Sequence, residues 1–181
     1  MRRAATRAVA VIMLGASGVG AYQLAGQPAT VSEHWREIAW PFPRDGWPAG
    51  RAFRCEGGAC DGAALYLRAK RGFCNCDSGV ADDDEVDRVA DIDLITPRFR
   101  PTAPGELVHV GEMHGRARAY DLATYDGAGH AAVGIAVSRR CDLFVAAAQG
   151  RGDAGAMQQA ALVFLETPEI KSWAMAALDG K

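Results

Sequence analysis

The 181-residue sequence predicts an α+β domain: an antiparallel sheet with two C-terminal helices packed on one face, preceded by an N-terminal apolar signal or anchor helix. Three observations lead there. Short runs of alternating apolar and polar residues recur from Arg51 onward, separated by turns rich in Gly, Pro and Asp. Two of these runs flank a glycine-rich turn and read as a long hairpin. After Gly155 the apolar period lengthens to about 3.6 residues, the period of a helix. Strands first and helices last is the order of an α+β domain.

The first 25 residues differ in kind. MRRAATR carries Arg2, Arg3 and Arg7 and no acid, and an uncharged apolar run follows. A basic segment followed by an apolar one is the pattern of a signal peptide. Val19-Gly20-Ala21 offers small residues for cleavage. The run is about 18 residues long, near the lower limit for spanning a bilayer, so a retained anchor is the other reading. Residues 26–50 are expected to hold a short helix and a loop. Thr30-Val31-Ser32-Glu33 has the form of a capping box, so the helix is placed over Ser32–Ala39, stopping ahead of Pro41. WPFPRDGWPAG, Trp40–Gly50, is then an ordered Pro- and Trp-rich loop, packing over the core edge or serving as an aromatic ligand platform.

Residues 51–181 form the single α+β domain. RAFRC and ALYLRAKRGF are strands joined by the turn-forming EGGACDG. Asp84–Ala90 reads as a helical turn or two, with Val86, Val89 and Ala90 on one side. DIDLI ends that helix or starts a strand. PRFRPTAPG is a connection and Glu106–Val110 a strand. GRARAYDLAT and HAAVGIAVSRR are the hairpin, and CDLFVAAA the strand after it. Met157, Ala160, Ala161, Phe164 and Leu165 recur at helical spacing. Thr167-Pro168 opens a last helix whose stripe is Ile170, Trp173, Ala174, Ala177 and Leu178, ended by Gly180. Trp173 is expected to be buried against one of the last two strands.

Composition excludes several functions. With 49% hydrophobic residues, the roughly 150 that follow the N-terminal segment can bury about two-thirds of their unfolded surface. A net charge of −2 speaks against a nucleic-acid partner, since phosphate binding needs a basic face. Ser78 and Ser138 lack a nucleophile-elbow setting, HExxH is absent, and no catalytic residue is assigned. Arg151-Gly152-Asp153 spells an adhesion tripeptide in a Gly-rich loop, where chance explains it.

The cysteines are Cys55, Cys60, Cys74, Cys76 and Cys141. In an exported chain disulfides are the default use, and five cysteines make at most two intramolecular bridges. Cys55 and Cys60 flank EGGA, which is flexible enough to close a small loop. The second bridge is expected to join Cys74 or Cys76 to Cys141. The competing reading makes the CNC segment a thiolate clamp for copper or zinc, with His109, Met113 and His114 as further ligands. No cofactor is assigned on the first reading.

The acidic run Asp82, Asp83, Asp84, Glu85 and Asp87, continuing to Asp91 and Asp93, lacks the glycine and glutamate spacing of an EF-hand. Acids at a helix N-terminus cap free N–H groups and meet the positive end of the helix dipole. The run is therefore read as a solvated helix start.

VAVIMLGASGVG with Tyr66-Leu67-Arg68-Ala69-Lys70 resembles the glycine turn and YxxxK pair of short-chain dehydrogenases. The spacing fails that family, which needs several βα units between the two motifs. The strand-strand-helix ending of the last third resembles the PsbP/Mog1 group of small α+β domains. WPFPRDGWPAGRAFRC and FCNCDSGVADDDEVDRV resemble segments of exported proteins of unknown function from GC-rich proteobacteria, which implies no activity. The expected function is an exported, disulfide-stabilised, non-enzymatic binding or accessory module of the cell envelope. It would sit in the periplasm or on the extracytoplasmic face of the inner membrane, with an envelope protein as partner and the membrane as a second contact if the N-terminal segment is kept. The alternative is a thiol-redox or copper-handling protein using the CNC segment.

Overall fold

A computed structural model describes residues 34–60, 62–73, 75–123 and 129–181. The signal or anchor segment, the Thr30–Glu33 cap pattern, Cys74 and most of the Tyr125–Gly129 turn lie outside these residues. An antiparallel sheet of eight strands is the centre of the molecule. The strands are β1 (Trp35–Ile38), β2 (Arg51–Cys55), β3 (Ala64–Lys70), β4 (Phe99–Pro101), β5 (Glu106–Val110), β6 (Met113–Leu122), β7 (His130–Arg139) and β8 (Asp142–Gly150). They lie in the order β1-β2-β3-β8-β7-β6-β4, and β5 also pairs with β6. The hairpin of β6 and β7 keeps one register from His114 opposite Ser138 to Leu122 opposite His130.

Two expectations fail at the sheet margins. Trp35–Ile38 is not helical: it pairs with β2, Trp35 opposite Cys55 and Ile38 opposite Ala52. A capping box is a local signal, and here the long-range ladder overrides it. Trp35 is buried, its ring 5.5 Å from that of Phe164. The sheet therefore begins upstream of Arg51. Similarly, the PRFRPTAPG connection contains β4, whose Phe99 lies opposite Leu122 on β6.

Both faces of the sheet are covered. On one face Leu65, Leu67, Val133, Ile135, Phe144 and Ala146 meet α3 (Ala154–Leu165) and α4 (Pro168–Leu178). Asp153 caps α3 by accepting from the Ala156 N–H at 2.8 Å, so the aspartate of the RGD triplet has a structural task. Thr167 precedes Pro168 but does not cap α4 through its side chain; its hydroxyl donates back to the Phe164 carbonyl at 2.8 Å. At the far end Gly180 has φ +75°, and the Lys181 N–H reaches the Ala176 carbonyl at 2.9 Å, a closure favoured by glycine. Trp173 is half-buried rather than buried. Its ring lies 6.0 Å from Phe144 of β8 and under the Arg51 guanidinium at 5.7 Å.

The second face is the one that the single-face expectation omits. Ala52, Ala132, Ala136, Val145 and Ala147 point there and meet α1 (Asp83–Val89), α2 (Ile92–Ile95) and the Trp40–Phe42 segment. DIDLI thus contains a helical turn. Gly134 makes the approach of these helices possible: a Cβ there would lie 2.8 Å from the Ala90 Cβ and 3.2 Å from the Tyr120 ring.

Candidate functional site

Two disulfides are formed, Cys55–Cys60 and Cys76–Cys141. The first closes the turn between β2 and β3. The second ties the segment after β3 to the β7–β8 turn, across 65 positions of sequence. Close approach of the same segment is completed at Gly79, φ +60°, where a Cβ would collide with the Ser138 hydroxyl at 2.2 Å. Ser138 in turn donates to the His114 carbonyl at 3.3 Å.

The second of these bonds bears on the competing thiolate-clamp reading. Cys76 has its sulfur bonded to Cys141, so it is no thiolate ligand while the bridge is intact, and Cys74 lies outside the described residues. His109 and His114 are cross-strand partners and both exposed, whereas Met113 pairs with Val110 and is buried on the opposite face. Alternation along the strand separates the sulfur from the imidazoles. Among the described residues no group of three or more His, Cys, Asp or Glu is arranged to hold a metal ion.

The acidic run is more engaged than a solvated helix start. Asp82 caps α1, accepting from the Glu85 N–H at 2.9 Å, and Glu85 pairs with Arg88 at 2.7 Å. Asp84 is exposed. Asp83 and Asp87 turn inward to β6. Asp83 accepts from the Gly105 N–H and from Arg116 Nε at 2.9 Å, and these contacts, Gly105 foremost, hold its carboxyl below the ordinary range. Asp87 accepts from Arg118 at 2.7 Å and from the Tyr120 hydroxyl at 2.7 Å. The helix start is an ionic clasp on the sheet.

A second group of polar chemistry, more deeply buried in its cations, lies at the C-terminal end of β3. Arg68 and Lys70 are 2% and 4% exposed, and both point to the second face. Strand β2 begins at Arg51 opposite Leu67, so beyond that point β3 is flanked by the Trp40–Gly50 loop that leads into it. A Cβ on Gly50 would lie 2.0 Å from the Leu67 carbonyl oxygen, which shows how close the loop comes. Arg68 donates to Asp45 at 2.6 Å and stacks on Trp40 at 4.9 Å. Asp45 also accepts from the Trp47 N–H at 3.2 Å, folding the loop tip back on itself. Lys70 donates to the Val89 carbonyl at 3.0 Å and to Asp91, and sits 5.2 Å from the Phe73 ring centre.

Asp91 links this group to the helices. It stands between α1 and α2 with φ +62°, a conformation that Asp tolerates better than most residues. Burial pushes its carboxyl above the ordinary range, against the pull of Lys70 and Arg68. Its Oδ2 faces Arg68 Nε at 3.7 Å, and both are buried atoms without a hydrogen bond. At Asp45, desolvation is the largest single effect and opposes ionisation, but the hydrogen bonds from Arg68 and the Trp47 N–H, with the Arg68 charge, together outweigh it and leave the carboxyl below its usual value. Two buried cations therefore meet two carboxylates, which is the condition for burying charge without a large penalty.

Above this charge group the loop forms a cleft of about 300 Å³ with the rings of Trp40, Phe42 and Trp47 in its wall and Asp45 and Arg68 at its base. Phe42 meets Tyr66 edge-on at 4.7 Å, and Trp47 meets Phe73 at 5.1 Å. A few converging polar groups in an aromatic wall are the ordinary makings of a ligand cleft. Arg68 and Lys70 are absent from the sequence-based candidates. Their signal was the alternation itself, which puts two cations on the same face as Tyr66, with Asp45 available in PRDGW.

No family model matches the chain, and no curated protein sequence matches it. Among the described residues no helix is long and apolar enough to cross a membrane.

Proposed function

We propose that this chain is an exported, disulfide-stabilised, non-enzymatic binding module of the cell envelope, presenting the Trp40–Trp47 loop to another envelope component. It acts in the periplasm or on the outer side of the inner membrane, tethered there if its N-terminal apolar segment is retained. The observation that carries the reading is the pairing of four of the five cysteines. Disulfides of this kind form and persist in oxidising compartments. The aromatic cleft supports the binding role, because its Trp40 ring stacks on the buried Arg68, which is paired with Asp45 of the same loop.

Export is tested by fusing residues 1–40 to a reporter active only outside the cytoplasm. A signal is expected, and its absence would overturn the compartment. Protein recovered from an oxidising compartment is expected to titrate one free thiol per chain. The binding role is tested by using the protein to capture envelope partners and repeating the capture with Trp47→Ala. A partner retained equally by both would remove the loop from the reading.

A further inference from the structure

At the other end of the same sheet face lies a second cavity, of about 400 Å³, which the tryptophan loop does not line. Gly62 and Ala64 line it and add little side-chain bulk, while Gly150, whose Cβ would face Ala63 and Met157, lines it with backbone. The register explains its walls. Arg54 lies opposite Ala64, and Ala64 opposite Gln149, in one row across β2, β3 and β8. Tyr66 stands two residues further along β3, on the same face. His130 opens β7 and Arg151 follows the last residue of β8, so both come to the same end of the sheet.

The charge of this cavity is one-sided. No carboxylate is found among the described residues that line it. Elsewhere the internal arginines have partners: Arg51 with Glu37 and Glu169, Arg68 with Asp45, Arg116 with Asp83, Arg118 with Asp87. The Arg54 and Arg151 side chains have none among the described residues. Arg54 also faces Arg36 directly across the β1–β2 pair, an unfavourable placement of like charges; Arg36 turns to Glu56 at 2.5 Å, and Arg54 is left to the cavity. Tyr66, 8% exposed, is hydrogen-bonded to Gln149 at 2.8 Å. Whichever way that amide is turned, the pair keeps a further N–H or O–H donor.

We propose that this cavity binds a small solute through an oxyanion, a carboxylate or phosphate group held by Arg54 and Arg151 with the Tyr66–Gln149 pair as neutral donors. Arginine presents its donors as a planar fork that matches either group in a bidentate way, and two forks with no carboxylate among the described lining residues favour a doubly charged ligand. The inference rests on the reading of the chain as a binding module but not on its export. Loss of reporter signal would leave the cavity standing, and loss of anion binding would leave the compartment standing.

The test is calorimetric titration of the full chain with inorganic phosphate and with succinate, each at constant ionic strength against chloride. At least one anion is expected to bind. Tighter binding of phosphate would assign a tetrahedral oxyanion, and tighter binding of succinate a planar one. The R54Q/R151Q double variant is expected to weaken binding by about tenfold or more, since a charge-assisted hydrogen bond is stronger than a neutral one. Arg100→Gln, the same change of residue on the distant β4, is expected to leave it unaltered. Amide signals of Gln149 and Gly150 are expected to shift on titration of the native chain, and a native-like amide spectrum of the double variant checks its folding. Neither anion binding above chloride, or a folded double variant binding within tenfold of the native chain, would overturn the proposal.

Discussion

The Tyr120 hydroxyl of β6 donates to the Asp87 carboxylate of α1 across 2.7 Å, joining a fully buried phenol to the acidic run. Burial, followed by the hydrogen bond to Asp87 and then its charge, pushes the phenol well above its ordinary pKa, so the donor form is the one that persists. Tyr120→Phe keeps the ring and removes the hydrogen bond to a charged acceptor. The expected loss is about 1.5–3 kcal/mol, read from the urea midpoint. An unchanged midpoint would mean that Arg118 alone holds Asp87.

The two disulfides are expected to differ in weight. In the chain-entropy model the longer closed loop contributes more: about 4 kcal/mol for Cys76–Cys141 against about 2 for Cys55–Cys60. Urea unfolding of C76A/C141A and of C55A/C60A should show the larger drop in the first variant. Equal drops would indicate that chain entropy is not what the longer bridge supplies.

Asp91 holds two buried cations together. Asp91→Asn retains a residue that accepts positive φ and removes the charge, so strain does not confuse the result. Breaking a buried pair by deleting one partner costs about 3–5 kcal/mol. Lys70→Met combined with Asp91→Asn is expected to recover part of that loss, because the uncompensated ammonium is gone. A double variant no better than the single would place the loss in the Asp91 hydrogen bonds rather than in Lys70.

Acid should destabilise the protein through its depressed carboxylates. The Lys171 hydrogen bond, then that of the Gly111 N–H, holds the Glu166 carboxyl below its ordinary range. The Arg51 hydrogen bond does the same for Glu37. A carboxyl with a lower pKa in the folded state stabilises above the unfolded value, and that stability is lost as pH falls through the folded one. Asp91 has the opposite sign, its raised pKa making its contribution fall as pH rises. Melting temperature followed from pH 6 downward should therefore drop less steeply in E37Q/E166Q than in the native chain. Parallel curves would remove these two groups from the acid response.

What was readable in the sequence was what depends on residues close together in the chain. The β6–β7 hairpin, β8 and both C-terminal helices follow from alternation, turn residues and an N1 proline, all local signals. The acidic residues do begin a helix, as Asp82 shows. Only the tertiary structure decided the rest, because it depends on partners far away in sequence. Trp35–Ile38 is a strand because β2 offers it a ladder, which a capping pattern cannot anticipate. Cys76 rather than its neighbour Cys74 meets Cys141, a choice made where the segment crosses the β7–β8 turn. Arg68 and Lys70 read as strand residues of unknown company until the Trp40–Gly50 loop and Asp91 arrive from opposite sides. Alternation tells which side of a strand a charge occupies. What covers that side is set by chain segments that come together only when folding buries both.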